Sequence, residues 1–449
     1  MNNNFKIKDP IHNTMIFDTD ETNWLVPILD TEVIQRLRHI KQMSISDWFF
    51  PGSVHTRFNH SIGCCYIGKK IAEQLQLNFQ QKQKVMLACL LHDVGHGPFS
   101  HTFENIFYQK SIYHEHWTPY FLKDITNNKN IKNCKELKNI EFDKISNIIC
   151  RTNLDNILLA DIVASQLDAD RLDYLLRDSH FCGVTYGTYD LSWLLNSLTV
   201  VKYLGKKRLG VTVRGIGVVE QFLMARRLMT QNVYQMSKKK ICEHLFLEFI
   251  KSLSHALLKE QDIFQNFQNY SISKFLINVA KFNNQMKISK KKEQQNLILN
   301  FMQQNYHIYK KLQDYDLYFL LRECNQLTVK HPAINIAKKL HNRCLPLYLN
   351  ITDKKINKAQ NLINAAKQVS NLDDWQLKIL SFPHKAYLSD DLPILILKDN
   401  QQVTELHKQS TIMNLISRKV EISHLIIIDK DALKIKVIRE CYKELRKLI

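Results

Sequence analysis

Apolar positions along the chain recur mostly at helical spacing. Over residues 31–42, Ile34, Leu37 and Ile40 fall near a 3.6-residue period, which predicts a helix that residues 47–52 end. A second helix is predicted over 57–75. A third, over 82–92, carries Val85, Leu87, Ala88, Leu90 and Leu91, so burial on most sides is expected; Gly95, Gly97 and Pro98 stop it. Residues 125–145 are rich in Asn, Lys and Glu and are expected to form a surface insertion. Further helices are expected over 158–178 and 218–236, and a helical pattern over 240–350 is interrupted by the basic tract Lys287 to Lys292. Val200 to Leu204 and Arg208 to Val213 predict a hairpin turning at Gly205-Lys206-Lys207. Residues 392–397 and 425–428 are strand-like, and 433–438 read as a third strand. No internal repeat is visible. The pattern predicts a mainly α protein, with a helical core over 1–240 and a smaller C-terminal lobe, helical and mixed α/β, over 241–449.

Composition narrows the class. The 449 residues are 45% hydrophobic and 23% charged, which fits a globular protein, and only 11 are Gly. Apolar runs such as Leu425 to Ile428 are far shorter than the ~20 residues that span a membrane, so no membrane association is expected. The start, Met1-Asn2-Asn3-Asn4-Phe5, lacks the apolar stretch of a signal peptide. Ten Cys without CxxC spacing fit buried thiols in a reducing cytoplasm better than a disulfide framework. A net charge of +19 attracts phosphates on nucleotides, nucleic acid or lipid, yet Asn/Lys-rich stretches also give such a charge through solvated faces. Charge alone does not choose a partner.

Three segments carry candidate chemistry. The first, His92-Asp93-Val94-Gly95-His96-Gly97-Pro98-Phe99-Ser100-His101, ends a buried helix in three His and one Asp. Such groups inside a protein need partners, and a metal ion supplies one. Imidazole plus carboxylate suits Mn, Fe, Co, Zn or Mg; a chance dipeptide at a helix C-cap is the plainer account of His92-Asp93. The second segment is His55 to Gly63. Arg57 and His60 are three apart and share a helix face, so His60 can reach a metal while Arg57 holds a phosphate. Its plainer account is a helix start capped by Thr56, with a solvated Arg. In the third, Asp170, Asp173, Tyr174 and Arg177 form one polar stripe, which an ordinary exposed helix with ion pairs would also show. The apolar flank Ile162-Val163 argues that this helix is packed on several sides.

The order His60, His92-Asp93, Asp170 resembles the H…HD…D signature of the HD superfamily. Asp9-Pro10-Ile11-His12, the run Gln35 to Gln42, Phe50-Pro51-Gly52, His55 to Gly63 and His92 to His101 are similar to its deoxynucleoside triphosphate triphosphohydrolase branch. That branch includes dGTP-stimulated bacterial enzymes and enzymes joining a SAM domain to an HD domain; the SAM domain is expected to be absent. The likeness is dense over 5–240, weaker over 240–350, where Asp316-Leu317-Tyr318 and the Ala337 to Arg343 segment look familiar, and not specific after 350.

The resemblance implies roles position by position. His60, His92, Asp93 and Asp170 match metal ligands for a divalent ion; His96, Glu104 and His114 match the catalytic group, with Glu104 expected to orient His96. Gln42, Arg57, His101, Tyr174, Asp178 and Tyr234 match nucleotide-holding positions, and Asp30, Gln35 and Arg38 match those that read a guanine effector, dGTP or GTP, between subunits. A homo-oligomer is implied, with a homotetramer expected and a dimer as the alternative. Three departures stand out: Glu104 replaces the usual Asp, Met236-Ser237 replaces His-Lys in a second effector pocket, and Phe5-Lys6 shifts the expected N-terminal basic residue. The implied reaction is metal-dependent hydrolysis of dNTPs to deoxynucleoside and inorganic triphosphate. Alternatives are a phosphodiesterase or 3′–5′ exonuclease acting on nucleic acid or a cyclic nucleotide, and a non-catalytic nucleotide sensor.

Overall fold

The computed structural model describes residues 4–384, 392–416 and 421–449. Helices dominate, as the periodicity predicts, and the strands among the described residues form three small sheets. The chain divides into two compact units. The first takes Met1–Met229, Met286–Tyr315 and Tyr387–Arg418, and the second takes Thr230–Gln285, Asp316–Ala386 and Lys419–Ile449. Each unit is therefore built from segments that are not consecutive along the chain.

In the first unit, an N-terminal hairpin pairs Asn4–Asp9 with Asn13–Asp18. Helix Arg57–Gln74 begins where the Asn59 side chain accepts a hydrogen bond from the Thr56 amide at 3.2 Å, and most of its residues are buried. Small residues such as Cys64 and Cys65 let it pack closely against helix Phe79–Leu91. That second helix starts earlier than its apolar run suggests, because Asn78 caps the Gln81 amide at 3.0 Å. Helix Ala169–Cys182 completes the trio around Arg57–Gln74.

Several expectations are corrected here. The helix expected over 158–178 is two helices, Ile157–Val163 and Ala169–Cys182. Asp168 separates them by accepting from the amides of Ser165 and Arg171, both at 2.7 Å, an N-cap that restarts the chain. The hairpin pairs Leu198–Tyr203 with Lys206–Thr212 in a register that leaves Leu204 and Gly205 as a two-residue turn; both have positive φ, as a type I′ turn requires. These strands continue through Leu395–Leu397 and Val403–Glu405 into a four-stranded sheet. Residues 125–145 are not a plain surface insertion, since Ile131, Leu137, Phe142 and Ile145 are buried.

The second unit holds a three-stranded antiparallel sheet, with Glu421–Ile428 between Leu347–Ile351 and Leu377–His384. Its core joins Ile351, Ile363, Leu377 and Ile426 to Ile438 and Leu445. The third strand expected over 433–438 is absent among the described residues: Asp431–Lys434 is a 3-10 turn and Lys436–Lys447 a helix. Ile438, Cys441 and Leu445 are its buried positions, and that i, i+3, i+7 spacing continues beyond the window that looked strand-like.

Candidate metal centre and active site

Three helices of the first unit bring His60, His92, Asp93 and Asp170 together. His60 is fully buried; its Nε2 lies 3.0 Å from Asp170 Oδ1 and 3.6 Å from Asp93 Oδ2. His92 follows the last residue of Phe79–Leu91, and its Nδ1 donates to the Cys89 carbonyl at 2.8 Å. Its Nε2 is buried with no hydrogen bond among the described residues, 3.4 Å from Asp93 Oδ1 and 3.6 Å from Asp170 Oδ1; burial opposes a charged ring, but these two carboxylates outweigh it and raise the pKa. Cys64, one turn after His60, also offers its sulfur; one ligand atom each from His60, Cys64, His92 and Asp170 lie within 4.8 Å of one another.

The electrostatics fit a divalent cation at this place. Burial disfavours a charged His60, yet hydrogen bonds to Asp170 and Asp173 and the field of Asp93 outweigh it and lift its pKa to about 10. Clustered carboxylates are drawing in positive charge, and a cation satisfies the same demand. Burial also opposes the charged form of Asp93, but Arg57, His92 and His96 hold its carboxyl well below the usual range. The unpartnered Nε2 of His92 and the carboxylates of Asp93 and Asp170 form a donor set suited to Mn, Fe, Co, Zn or Mg.

Behind these groups lies a buried ionic network. Asp173 accepts from His60 Nδ1 at 2.8 Å, from Arg177 Nε at 2.8 Å and from His12 Nε2 at 2.7 Å. Arg177 also donates to Asp9 at 2.8 Å. The stripe read from sequence is therefore no exposed face: Asp173 and Arg177 are fully buried. Sequence reasoning gave Asp9, His12, Asp173 and Arg177 no separate task. Their signal was the pairing of Asp173 with Arg177 one turn later and the Asp-Pro-Ile-His run. The network holds the His60 ring so that Nε2 faces the cluster.

Beside the cluster sit His96, Glu104 and His114. The His96 ring stacks on His114 with centroids 3.6 Å apart. Burial, then Arg57 and His114, push its pKa well below the ordinary value, so it is neutral at pH 7. Neither ring nitrogen makes a hydrogen bond among the described residues, although Nε2 lies 3.3 Å from Asp93 Oδ1. Glu104 differs from its expected pairing. Its Oε1 accepts from His114 Nδ1 at 2.7 Å and lies 4.0 Å from His96 Nδ1, while Oε2 accepts from His101 at 3.2 Å. The extra methylene of Glu lets this carboxylate reach past His96 to the start of helix His114–Asn127, where it also accepts the His114 amide at 3.3 Å.

The expected nucleotide-holding residues are partly gathered. Arg57 is buried, donates to Asp93 and bonds Ser100 Oγ at 2.8 Å, which places its guanidinium between the metal cluster and the His96 loop. The Gln42 backbone amide donates to the His55 carbonyl at 3.1 Å, and its Oε1 is buried with no hydrogen bond among the described residues. His101 is exposed at the rim, the Tyr174 ring lies 6.5 Å from His60, and Asp178 is held by His55 Nε2 at 2.7 Å. Tyr234 belongs to the second unit, in the π-helical turn Thr230–Tyr234, with the Lys239 ammonium 5.9 Å from its ring. Of the three positions expected to read an effector, Gln35 and Arg38 are bonded at 2.7 Å, and Arg38 stacks 3.5 Å over Phe58. Exposed Asp30 follows Leu29, whose carbonyl Gln35 also holds at 2.7 Å.

Residues 57–178 match the HD domain family. This segment is similar to HD domains. The four converging groups all lie within the match, which begins at Arg57 and ends at Asp178. An uncharacterized protein of Methanocaldococcus jannaschii is 34% identical over 271 residues, 60% of this chain and 54% of that protein. The SAMHD1 homolog of Dictyostelium discoideum, named a deoxynucleoside triphosphate triphosphohydrolase, is 32% identical over 193 residues, 39% of this chain and 36% of that protein. The chain thus spans about half the length of the curated relatives it matches. In fold, a phosphohydrolase crystal structure from Bacteroides thetaiotaomicron aligns with a TM-score of 0.72 at 24% identity, covering 94% of this chain and 99% of that one. No helix among the described residues is long and apolar enough to cross a membrane.

Proposed function

We propose that this chain is a metal-dependent phosphohydrolase that cleaves deoxynucleoside triphosphates between the 5′ oxygen and the α-phosphorus. Water adds to the phosphorus, and the products are a deoxynucleoside and inorganic triphosphate. The observation that carries the reading is the adjacency of a cation-demanding cluster to a stacked His96–His114 pair, with Arg57 between the cluster and the His96 loop. The likeness to proteins named deoxynucleoside triphosphate triphosphohydrolases supports the choice of substrate.

His60, His92, Asp93 and Asp170 would hold the divalent cation, which supplies Lewis acidity toward a phosphoryl oxygen. His96, neutral and with unbonded ring nitrogens, positions the attacking water and accepts its proton. His114 donates a proton to the departing 5′ oxygen; Glu104, on its Nδ1, fixes the orientation of the ring. Arg57 offsets charge on the polyphosphate. The exposed Gln35–Arg38 pair with nearby Asp30 is the proposed guanine-effector surface, shared between subunits of a homotetramer.

The test is chromatographic. Purified protein with dGTP and Mn should release deoxyguanosine and triphosphate, and the His92→Ala, Asp93→Ala double variant should lose activity and bound metal together, the latter read by elemental analysis. Full turnover by that variant sinks the site. Mononucleotide release from single-stranded nucleic acid, with dGTP untouched, would favour the exonuclease reading that the +19 charge permits. Binding of dNTPs without turnover would favour a sensor.

A further inference from the structure

The loop between His96 and His101 holds unusual backbone. Phe99 has φ 55°, and Ser100 has φ 54° with ψ −131°, although neither is glycine. Such conformations persist only where the surroundings impose them. Asp314, 215 residues further along the chain, accepts the Phe99 amide on Oδ1 at 2.7 Å. Its other oxygen accepts the Lys41 amide at 2.9 Å. The carboxylate is almost fully buried, and the proposed reaction leaves it without a part. Two neighbouring contacts act on the same loop: Tyr309 Oη donates to the Gly95 carbonyl at 2.8 Å, and Arg36 bonds the carbonyls of Leu312 and Val94. Ser100 Oγ in turn donates to the Lys41 carbonyl at 2.8 Å, so Lys41 and the loop are tied twice.

We propose that Asp314 is a positioning residue, clamping the amides of Phe99 and Lys41 so that the loop from His96 to His101 keeps the strained path that sets His96 beside Asp93 and His114. The clamp itself is geometry; its consequence for turnover rests on the phosphohydrolase reading. A carboxylate is suited to the task because two acceptor oxygens meet two donors, and an amide side chain would oppose one donor with another. The residue touches no reacting atom. It acts through His96, whose displacement by about 1 Å would cost on the order of 100-fold in rate.

Hydrogen exchange and kinetics on the full chain test this together. In the unmodified protein, the Phe99 and Lys41 amides should exchange slowly although both lie outside regular helix and strand; fast exchange overturns the clamp without any variant being made. In Asp314→Asn, peptides covering 95–101 and 39–43 should exchange faster. With dGTP as probe, kcat should fall by about 10-fold or more, while KM and metal content stay within about twofold. Loosened amides with unchanged kcat would overturn positioning and leave a purely structural bond. Should the unmodified protein hydrolyse no dNTP, the functional reading fails, and the exchange data still decide whether Asp314 holds the loop.

Discussion

Gly63 shows how tightly the ligand shell is built. It sits one residue before Cys64 on helix Arg57–Gln74, where a Cβ would lie 2.0 Å from Asp173 Oδ1 and 2.5 Å from Arg177 Nη2. Only a hydrogen at that position lets the buried ion pair press against the helix that carries His60. Gly63→Ala should therefore push Asp173 off His60 and destabilise the chain by about 1–3 kcal/mol, the usual cost of overpacking. Denaturant unfolding checks the magnitude, and a fall in bound metal checks that the damage reaches His60. An unchanged midpoint would mean that the network has slack. Gly95 has a similar duty, since a Cβ there would meet the His114 carbonyl at 2.1 Å. A small residue between His92-Asp93 and His96 is thus what allows helix His114–Asn127 to come close enough for the two imidazoles to stack.

Helix Ser237–Leu258 of the second unit makes a different demand at the scale of an element. His244 is half-buried on it, and its Nε2 has no hydrogen bond among the described residues. Burial, with Lys378 and Lys251 nearby, outweighs Glu248 and Asp374 and pushes its pKa down to about 4 from an ordinary 6.5. Between those values the unfolded chain binds a proton that the folded chain refuses, so stability rises with pH across this window and is lost as pH falls from 6.5 towards 4. The loss is on the order of 2 kcal/mol after allowing for partial exposure. His244→Gln should flatten thermal stability over that pH range; an unaltered pH profile would contradict it. Element boundaries elsewhere follow local bonds that periodicity does not contain. Asp168 splits one expected helix, while the positive φ of Leu204 and Gly205 shortens the expected turn.

For the whole molecule, the proposed effector surface is the point where one chain would meet others. Gln35 and Arg38 are bonded to each other, and Arg38 stacks on Phe58, which belongs to the helix bearing His60. An effector base held by the pair would thus be coupled to the metal helix through a rigid contact. Light scattering should show a rise in mass towards a tetramer on addition of dGTP, and Arg38→Ala should abolish that rise while leaving basal metal content intact. A strictly monomeric, fully active protein would count against effector binding.

The sequence by itself determined the helical character and singled out the four residues, His60, His92, Asp93 and Asp170, that the fold brings together. Helical period is a local property, and His92-Asp93 directly after the apolar run Val85 to Leu91 leaves few ways to satisfy two polar groups. Tertiary structure alone decided which carboxylate serves which imidazole. Glu104 on His114 rather than His96, and Asp173 behind His60, depend on angstrom differences between side chains from separate helices. It also decided that Asp314 reaches Phe99 and Lys41, because a contact across more than two hundred residues leaves no periodic trace in the chain. Residues 433–438 failed for a related reason: six positions fit either period, and only the core met by Ile438, Cys441 and Leu445 selects the helix.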